Sequence, residues 1–196
     1  MGLNILLLGP QGAGKGTQGK LIAEEYGIPH IATGDMLRIA IARGSELGKA
    51  VGPILDTGEL VPDDLMVALI RERLGDEDAH HGFVLDGFPR TMPQAEALDE
   101  LLRDLGRDLD VVFEFQVPDR ETLLQRMLKR AAEEDRSADT PDAIRRRLEL
   151  YEELTAPLTE YYRSTRGNVV GIHADRPIEQ VFAEIREALD QVAARS

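Results

Sequence analysis

The run Leu6-Leu7-Leu8-Gly9-Pro10-Gln11-Gly12-Ala13-Gly14-Lys15-Gly16-Thr17 constrains this chain more than any other feature. An apolar strand ends at Leu8, a glycine-rich loop follows, and a helical pattern begins at Lys15. The pattern is G-x-x-x-x-G-K, with Gly16 standing before Thr17, where the usual motif has Ser or Thr directly after the lysine. Glycine gives such a loop its positive φ angles and its close backbone approach. The N–H groups of Gly12, Ala13, Gly14, Lys15 and Gly16, with the helix start behind them, form a concave positive surface suited to phosphate. Lys15 is placed for the outer phosphates of a nucleotide, and Thr17 for a magnesium ion. An ordinary strand-to-helix turn needs neither the lysine nor so many glycines.

The rest of the chain alternates short apolar runs with helical patterns. Strands are expected at 4–8, 30–32, 82–85, 111–115 and 169–172, and helices at 15–26, 34–43, 63–74, 93–104, 119–133, 141–164 and 177–194. Thr140-Pro141-Asp142 reads as a cap residue followed by proline at the first helical position. Alternation of this kind implies an α/β fold with a parallel sheet of about five strands covered by helices on both faces. Ligands of such folds sit beyond the carboxyl ends of the strands, where the glycine loop also lies. The stretch 33–62 has helical character without a strong strand, as in an inserted flap. A length of 196 residues suits a single domain.

Two further clusters carry charge. Phe83-Val84-Leu85-Asp86-Gly87-Phe88-Pro89-Arg90 is an apolar strand ending in an aspartate that could hold magnesium, directly or through water. The turn after it aims Arg90. Arg126 and Arg130 share one helix face at i, i+4, and Arg38, Arg136 and Arg147 add further guanidiniums in a chain of net charge −13. Planar, permanently charged guanidinium suits phosphate, so the set reads as a clamp around phosphoryl groups. The acidic balance argues against a nucleic-acid partner, which would demand a basic face. Cysteine is absent, which excludes disulfides and thiolate zinc sites. The N-terminus lacks the pattern of a signal peptide, and no apolar stretch approaches the ~20 residues that span a bilayer. A cytoplasmic protein with no membrane partner is expected.

With these residues in hand, the chain resembles the adenylate kinases, nucleoside monophosphate kinases of the P-loop type. Gly9 to Thr17, Thr33-Gly34-Asp35-Met36-Leu37-Arg38, Gly58-Glu59-Leu60-Val61-Pro62, Asp86-Gly87-Phe88-Pro89-Arg90-Thr91 with Gln94, Arg126 with Arg130, Arg136, Arg147 and Thr155-Ala156-Pro157-Leu158 occur in the family's order, end to end. The resemblance implies a P-loop three-layer fold with a core, an AMP flap at about 32–61 and a short lid at about 131–137. It implies magnesium-dependent transfer between ATP and AMP, giving ADP, by a monomer without structural zinc. By the same resemblance, Gly12 to Thr17, Arg130 and Arg176 serve ATP. Thr33, Arg38, Glu59, Leu60, Val61, Gly87, Phe88, Pro89, Arg90, Gln94, Arg136 and Arg147 serve AMP, with Gln94 reading the adenine edge. Lys15, Arg90, Arg126, Arg130, Arg136 and Arg147 act on the transferring group, and Thr17 and Asp86 on magnesium. Where short-lid relatives carry two adjacent aspartates, this chain has Ala138-Asp139. A UMP/CMP kinase of the same fold is the nearest alternative, with Thr33 and Gln94 favouring adenine. A guanine-nucleotide switch would want an Asn-Lys-x-Asp element, which neither Asn4 nor Asn168 begins. A shikimate-type kinase fits the Asp-Gly-Phe-Pro-Arg element poorly.

Overall fold

Side-chain alternation along the central strand accounts for the architecture. In the computed structural model, which describes residues 2–117, 119–134 and 139–194, β1 (Leu3–Leu8) is buried from Asn4 onward. Leu6 and Leu8 enter one apolar core, while Ile5 and Leu7 enter a second on the opposite face. The neighbouring strands divide in the same way: Phe83 and Leu85 against Val84 in β3 (Gly82–Asp86), and Val112 against Val111, Phe113 and Phe115 in β4 (Val111–Gln116). A strand that is apolar on both faces needs helices above and below.

With β2 (His30–Ala32) and β5 (Val169–His173), the strands form one parallel sheet in the order β2-β3-β1-β4-β5. The first core takes Met66, Ile70 and Leu74 of α4 (Asp63–Leu74), Leu98 and Leu102 of α5 (Met92–Asp104), and Leu158 and Tyr162 of α8 (Pro157–Thr165). The second takes Ile22 of α1 (Lys15–Tyr26), Leu123 and Met127 of α6 (Arg120–Glu133), Ile144 and Leu148 of α7 (Pro141–Leu150), and Val181 and Ile185 of α9 (Ile178–Ala193). Each such side chain contributes about 1.5–3 kcal/mol by leaving water. The expected α/β fold with five parallel strands is what forms.

The stretch 33–62 folds as α2 (Thr33–Ala42) and α3 (Glu46–Thr57), outside the sheet. The sequence reading is corrected at 141–164. That span is not one helix: α7 runs into a π-helical turn at Tyr151–Thr155 before α8. The Thr155 hydroxyl leaves the helix to donate to the Arg90 carbonyl at 2.8 Å, and Pro157, lacking an N–H, opens a new helix. A short 3-10 turn at Glu77–His81, also unanticipated, leads into β3. Among the described residues no helix is long and apolar enough to cross a membrane.

Candidate active site

All five strands are parallel, so the loops at their carboxyl ends gather on one side. Gly9 follows β1 with φ 144°, and a Cβ there would lie 2.8 Å from that of Phe115. Gly14 sits at the cap of α1 with φ 91° and no side-chain cap, while α5, α6 and α7 are capped by Thr91, Asp119 and Thr140. The first N–H groups of α1 have no side-chain cap, and a helix start of this kind suits an anion. Lys15 folds back over the loop, its Nζ donating to the carbonyls of Gly9 at 2.7 Å and Pro10 at 2.9 Å. Burial lowers its pKa to about 8 against the pull of Asp86, and the charges of Arg90 and Arg130 lower it further.

A cleft of about 830 Å³ opens over this loop. It is lined by Gly12, Gly14, Lys15, Gly16 and Thr17, by Asp86, Gly87, Pro89 and Arg90 at the end of β3, and by Arg38, Leu60, Arg126, Arg130 and Arg147. Burial alone would raise the Asp86 carboxyl. The neighbouring His30 imidazole, 3.6 Å away, with Lys15 and Arg90, holds it below the ordinary carboxylate value instead. A strand-end carboxylate kept charged in the same cleft as the Thr17 hydroxyl is an oxygen donor set suited to magnesium. No group of three or more His, Asp or Glu side chains that could by itself hold a metal occurs among the described residues.

A second cavity of about 110 Å³ adjoins the cleft and shares Arg38, Arg90, Arg130 and Arg147 with it. Thr33, Leu37, Glu59, Leu60, Val61, Met66, Gly87 and Gln94 also line it. Its character is apolar, with the buried amide of Gln94 as a polar handle.

Four arginines, Arg38, Arg90, Arg130 and Arg147, line both cavities at the junction. Arg90 Nε donates to the Gly87 carbonyl at 2.9 Å. Burial depresses the Arg90 pKa against the pull of Asp86, and the nearby Arg147 and Arg38 depress it further. Arg147 donates to the Leu55 carbonyl at 2.8 Å and pairs with Asp139, which also lies 3.8 Å from Arg130. Arg38 pairs with Asp35, and Arg126 donates to the Ala174 carbonyl at 3.1 Å. Cations gathered in a cleft raise one another's energy, and an anionic ligand relieves that.

Some anticipated residues lie elsewhere. Ala13 and the Phe88 ring are buried in the apolar cores, so neither side chain lines a cavity. The Glu59 carboxylate turns outward to Arg146 at 2.6 Å. The Arg176 side chain, away from the cleft lining, donates to the His173 carbonyl and pairs with Glu184. Arg136 falls outside the described residues. Three contributors escaped the sequence reading: Asp63, which accepts from Gln94 and Thr91; His30 beside Asp86; and the Leu55 carbonyl under Arg147. Only the adjacency of Asp63 to Gly58-Glu59-Leu60-Val61-Pro62 offered a signal.

Comparison with known proteins adds independent findings. The family model for adenylate kinase matches residues 7–167. A protein of Thermobifida fusca named adenylate kinase is 46% identical over 187 residues, covering 95% of this chain and 98% of its own. Those of Brucella ovis and Brucella suis, with the same name, are each 46% identical over 193 residues at the same coverage.

Proposed function

The chain belongs to the adenylate kinase family, and we propose how its cleft performs the reaction which that membership implies. That reaction is reversible transfer of a phosphoryl group from ATP to AMP, giving two ADP. Relatives of this name over nearly the whole chain do not favour the UMP/CMP alternative. One observation carries the reading: two chambers of different character meet at a shared set of guanidiniums. A reaction joining two nucleotides through their phosphates needs that arrangement.

In this reading the loop from Gly12 to Thr17 and Arg130 hold the ATP phosphates, and the backbone near Arg176 meets the ATP base. Thr33, Glu59 to Val61, Gly87 to Pro89 and Gln94 surround AMP, while Arg38, Arg90 and Arg147, with Arg136, receive its phosphate. An AMP phosphate oxygen attacks the terminal phosphorus directly, so no protein nucleophile is required. Lys15, Arg90, Arg126, Arg130 and Arg147 stabilise charge spread over the equatorial oxygens. Asp86 and Thr17 would hold magnesium, directly or through water, and the ion supplies charge neutralisation between phosphate groups. Water is the competing acceptor, so a flap at 32–61 closes over the cleft before transfer, with the expected lid at 131–137, whose residues 135–137 lie outside the described residues. Lid closure in adenylate kinase is one of the standard examples of such gating. Asp139, paired with Arg147 and close to Arg130, is suited to hold those arginines apart until phosphate replaces it. We place the protein in the cytoplasm as a monomer, without nucleic-acid or membrane partners, in keeping with its net charge of −13.

The test is a phosphoryl-transfer assay with magnesium-ATP and AMP, GMP, UMP, CMP or shikimate as acceptor. ADP formation well above background with AMP alone is expected. Equal or better use of UMP or CMP would replace the acceptor assignment.

A further inference from the structure

Gln94 can read a base only if its amide faces one way, and that orientation is set by its bonds to Arg90 and Asp63. Its Oε1 accepts from the Arg90 backbone N–H at 2.8 Å. Its Nε2 donates at 2.7 Å to Oδ1 of Asp63, the first residue of α4, and the same oxygen accepts from the Thr91 hydroxyl at 2.9 Å. A backbone N–H can only donate, and a carboxylate can only accept. Flipping the amide would set its carbonyl against the carboxylate and its NH₂ against an N–H. For a buried amide that is two lost hydrogen bonds. Asp63 itself does not line the pocket.

The consequence is chemical selectivity. One Nε2 hydrogen and one Oε1 lone pair remain for the ligand. Adenine carries an amino donor at C6, whereas guanine and hypoxanthine carry a carbonyl acceptor there. An Oε1 fixed toward that position accepts from adenine and repels the other two. An amide free to flip could turn its NH₂ to the carbonyl. We infer that Asp63 is a positioning residue that selects 6-amino over 6-oxo purine nucleotides by locking the Gln94 amide. The inference rests on the proposed reading of the Gln94 pocket as the acceptor base site.

An acidic residue in the first helical turn also stabilises its helix, a purely structural role. Kinetics separate the two. Asp63→Asn keeps the shape but offers either a donor or an acceptor to Gln94, so the lock is reduced to the Arg90 N–H. Asp63→Ser, with a hydroxyl that also donates or accepts, suits a helix start. AMP and IMP are compared as acceptors because they differ only at C6 and N1. In both variants the AMP-to-IMP ratio of kcat/KM should fall roughly tenfold, through a higher KM for AMP and a gain with IMP. The KM for ATP and the kcat with AMP should stay within about twofold of the parent. In a Gln94→Leu background the Asp63 changes should leave the ratio unmoved. A ratio unchanged in folded Asp63 variants, a shift that persists without Gln94, or loss of folding in both variants would overturn the inference. A parent protein that does not use AMP would instead overturn the proposed function.

Discussion

The glycine-loop end of the cleft and its Gln94 end are built on opposite principles. At the loop end the ligand-facing groups are backbone N–H groups, with one cation parked on the Gly9 and Pro10 carbonyls. Nothing there distinguishes one triphosphate from another. At the Gln94 end, side chains carry the polarity, and the amide is already bonded to Arg90 and Asp63. A backbone cradle recognises charge, whereas a pre-bonded side-chain network recognises a pattern of donors and acceptors. The lysine must leave its carbonyls to meet phosphate. The amide need not move.

Breaking the loop end should have the largest effect. Lys15→Met is expected to lower kcat by about 10²–10³, the usual cost of one well-placed donor to transition-state charge, with the protein still folded. The stability readout is separate. Because the folded-state pKa of about 8 lies below the ordinary lysine value of 10.5, the unfolded chain binds the extra proton between those two values. The amine's destabilisation of the ligand-free fold is therefore full below pH 8 and fades as pH rises toward 10.5. Ligand-free Lys15→Met should melt at or above the parent temperature at pH 7, and the difference should shrink above pH 8. A marked fall in melting temperature with activity retained would make Lys15 a structural residue.

At the junction, Arg90→Ala and Arg147→Ala should each lower kcat/KM by on the order of 10², measured in both reaction directions with folding checked by circular dichroism. Arg147 also holds the Leu55 carbonyl at the end of the flap helix α3, so its loss should raise the KM for AMP as well. Near-parent kinetics for either variant would remove it from the phosphate clamp.

The two ends also differed in how far the sequence disclosed them. The glycine loop is local: strand, turn and helix start are contiguous, and Gly9, Gly14 and Lys15 announce their geometry by residue type. Strand-end Asp86 and Arg90 were legible for the same reason, as was the alternation that places Leu6 and Leu7 in different cores. The Gln94 network is assembled from two segments, with Asp63 and Gln94 separated by 31 positions. Asp63 stands among many acidic residues, and only its place directly after Gly58-Glu59-Leu60-Val61-Pro62 marks it. The π-helical turn at Tyr151–Thr155 was only half hidden: Pro157 marks a break within 141–164, whereas the bond from the Thr155 hydroxyl to the Arg90 carbonyl, 65 positions away, is tertiary. Phe88 was read from the motif that contains it, yet a benzyl ring gains more in the apolar core than at a polar site.

Sharpening the Gln94 end calls for a smaller change. Gln94→Leu keeps the volume and removes the polar handle, leaving the Arg90 N–H and Asp63 without their partner. A loss of roughly tenfold in kcat/KM for AMP is expected, with the KM for ATP within about twofold of the parent. Equal losses toward both nucleotides would mean that Gln94 supports the strand-end turn and does not read the acceptor.

The smallest effect is expected at Arg146, the neighbour of Arg147. One residue along a helix is a rotation of about 100°, so the two guanidiniums leave α7 in different directions. Arg147 faces the cleft, nearly buried. Arg146 is 41% exposed and pairs with Glu59 at 2.6 Å. That pair ties α7 to the end of the flap, but it lies in solvent, where ion pairs contribute about 0–1 kcal/mol. Arg146→Ala should therefore change kcat/KM for AMP by less than about fivefold, and added salt should weaken the parent's use of the pair. Steady-state kinetics at low and high salt, with the Arg147→Ala protein alongside, make the measurement. If folded Arg146→Ala were as damaging as Arg147→Ala, the Arg146–Glu59 pair would be seating the flap on α7. Acceptor binding would then depend on a surface contact as much as on the cation cluster inside the cleft.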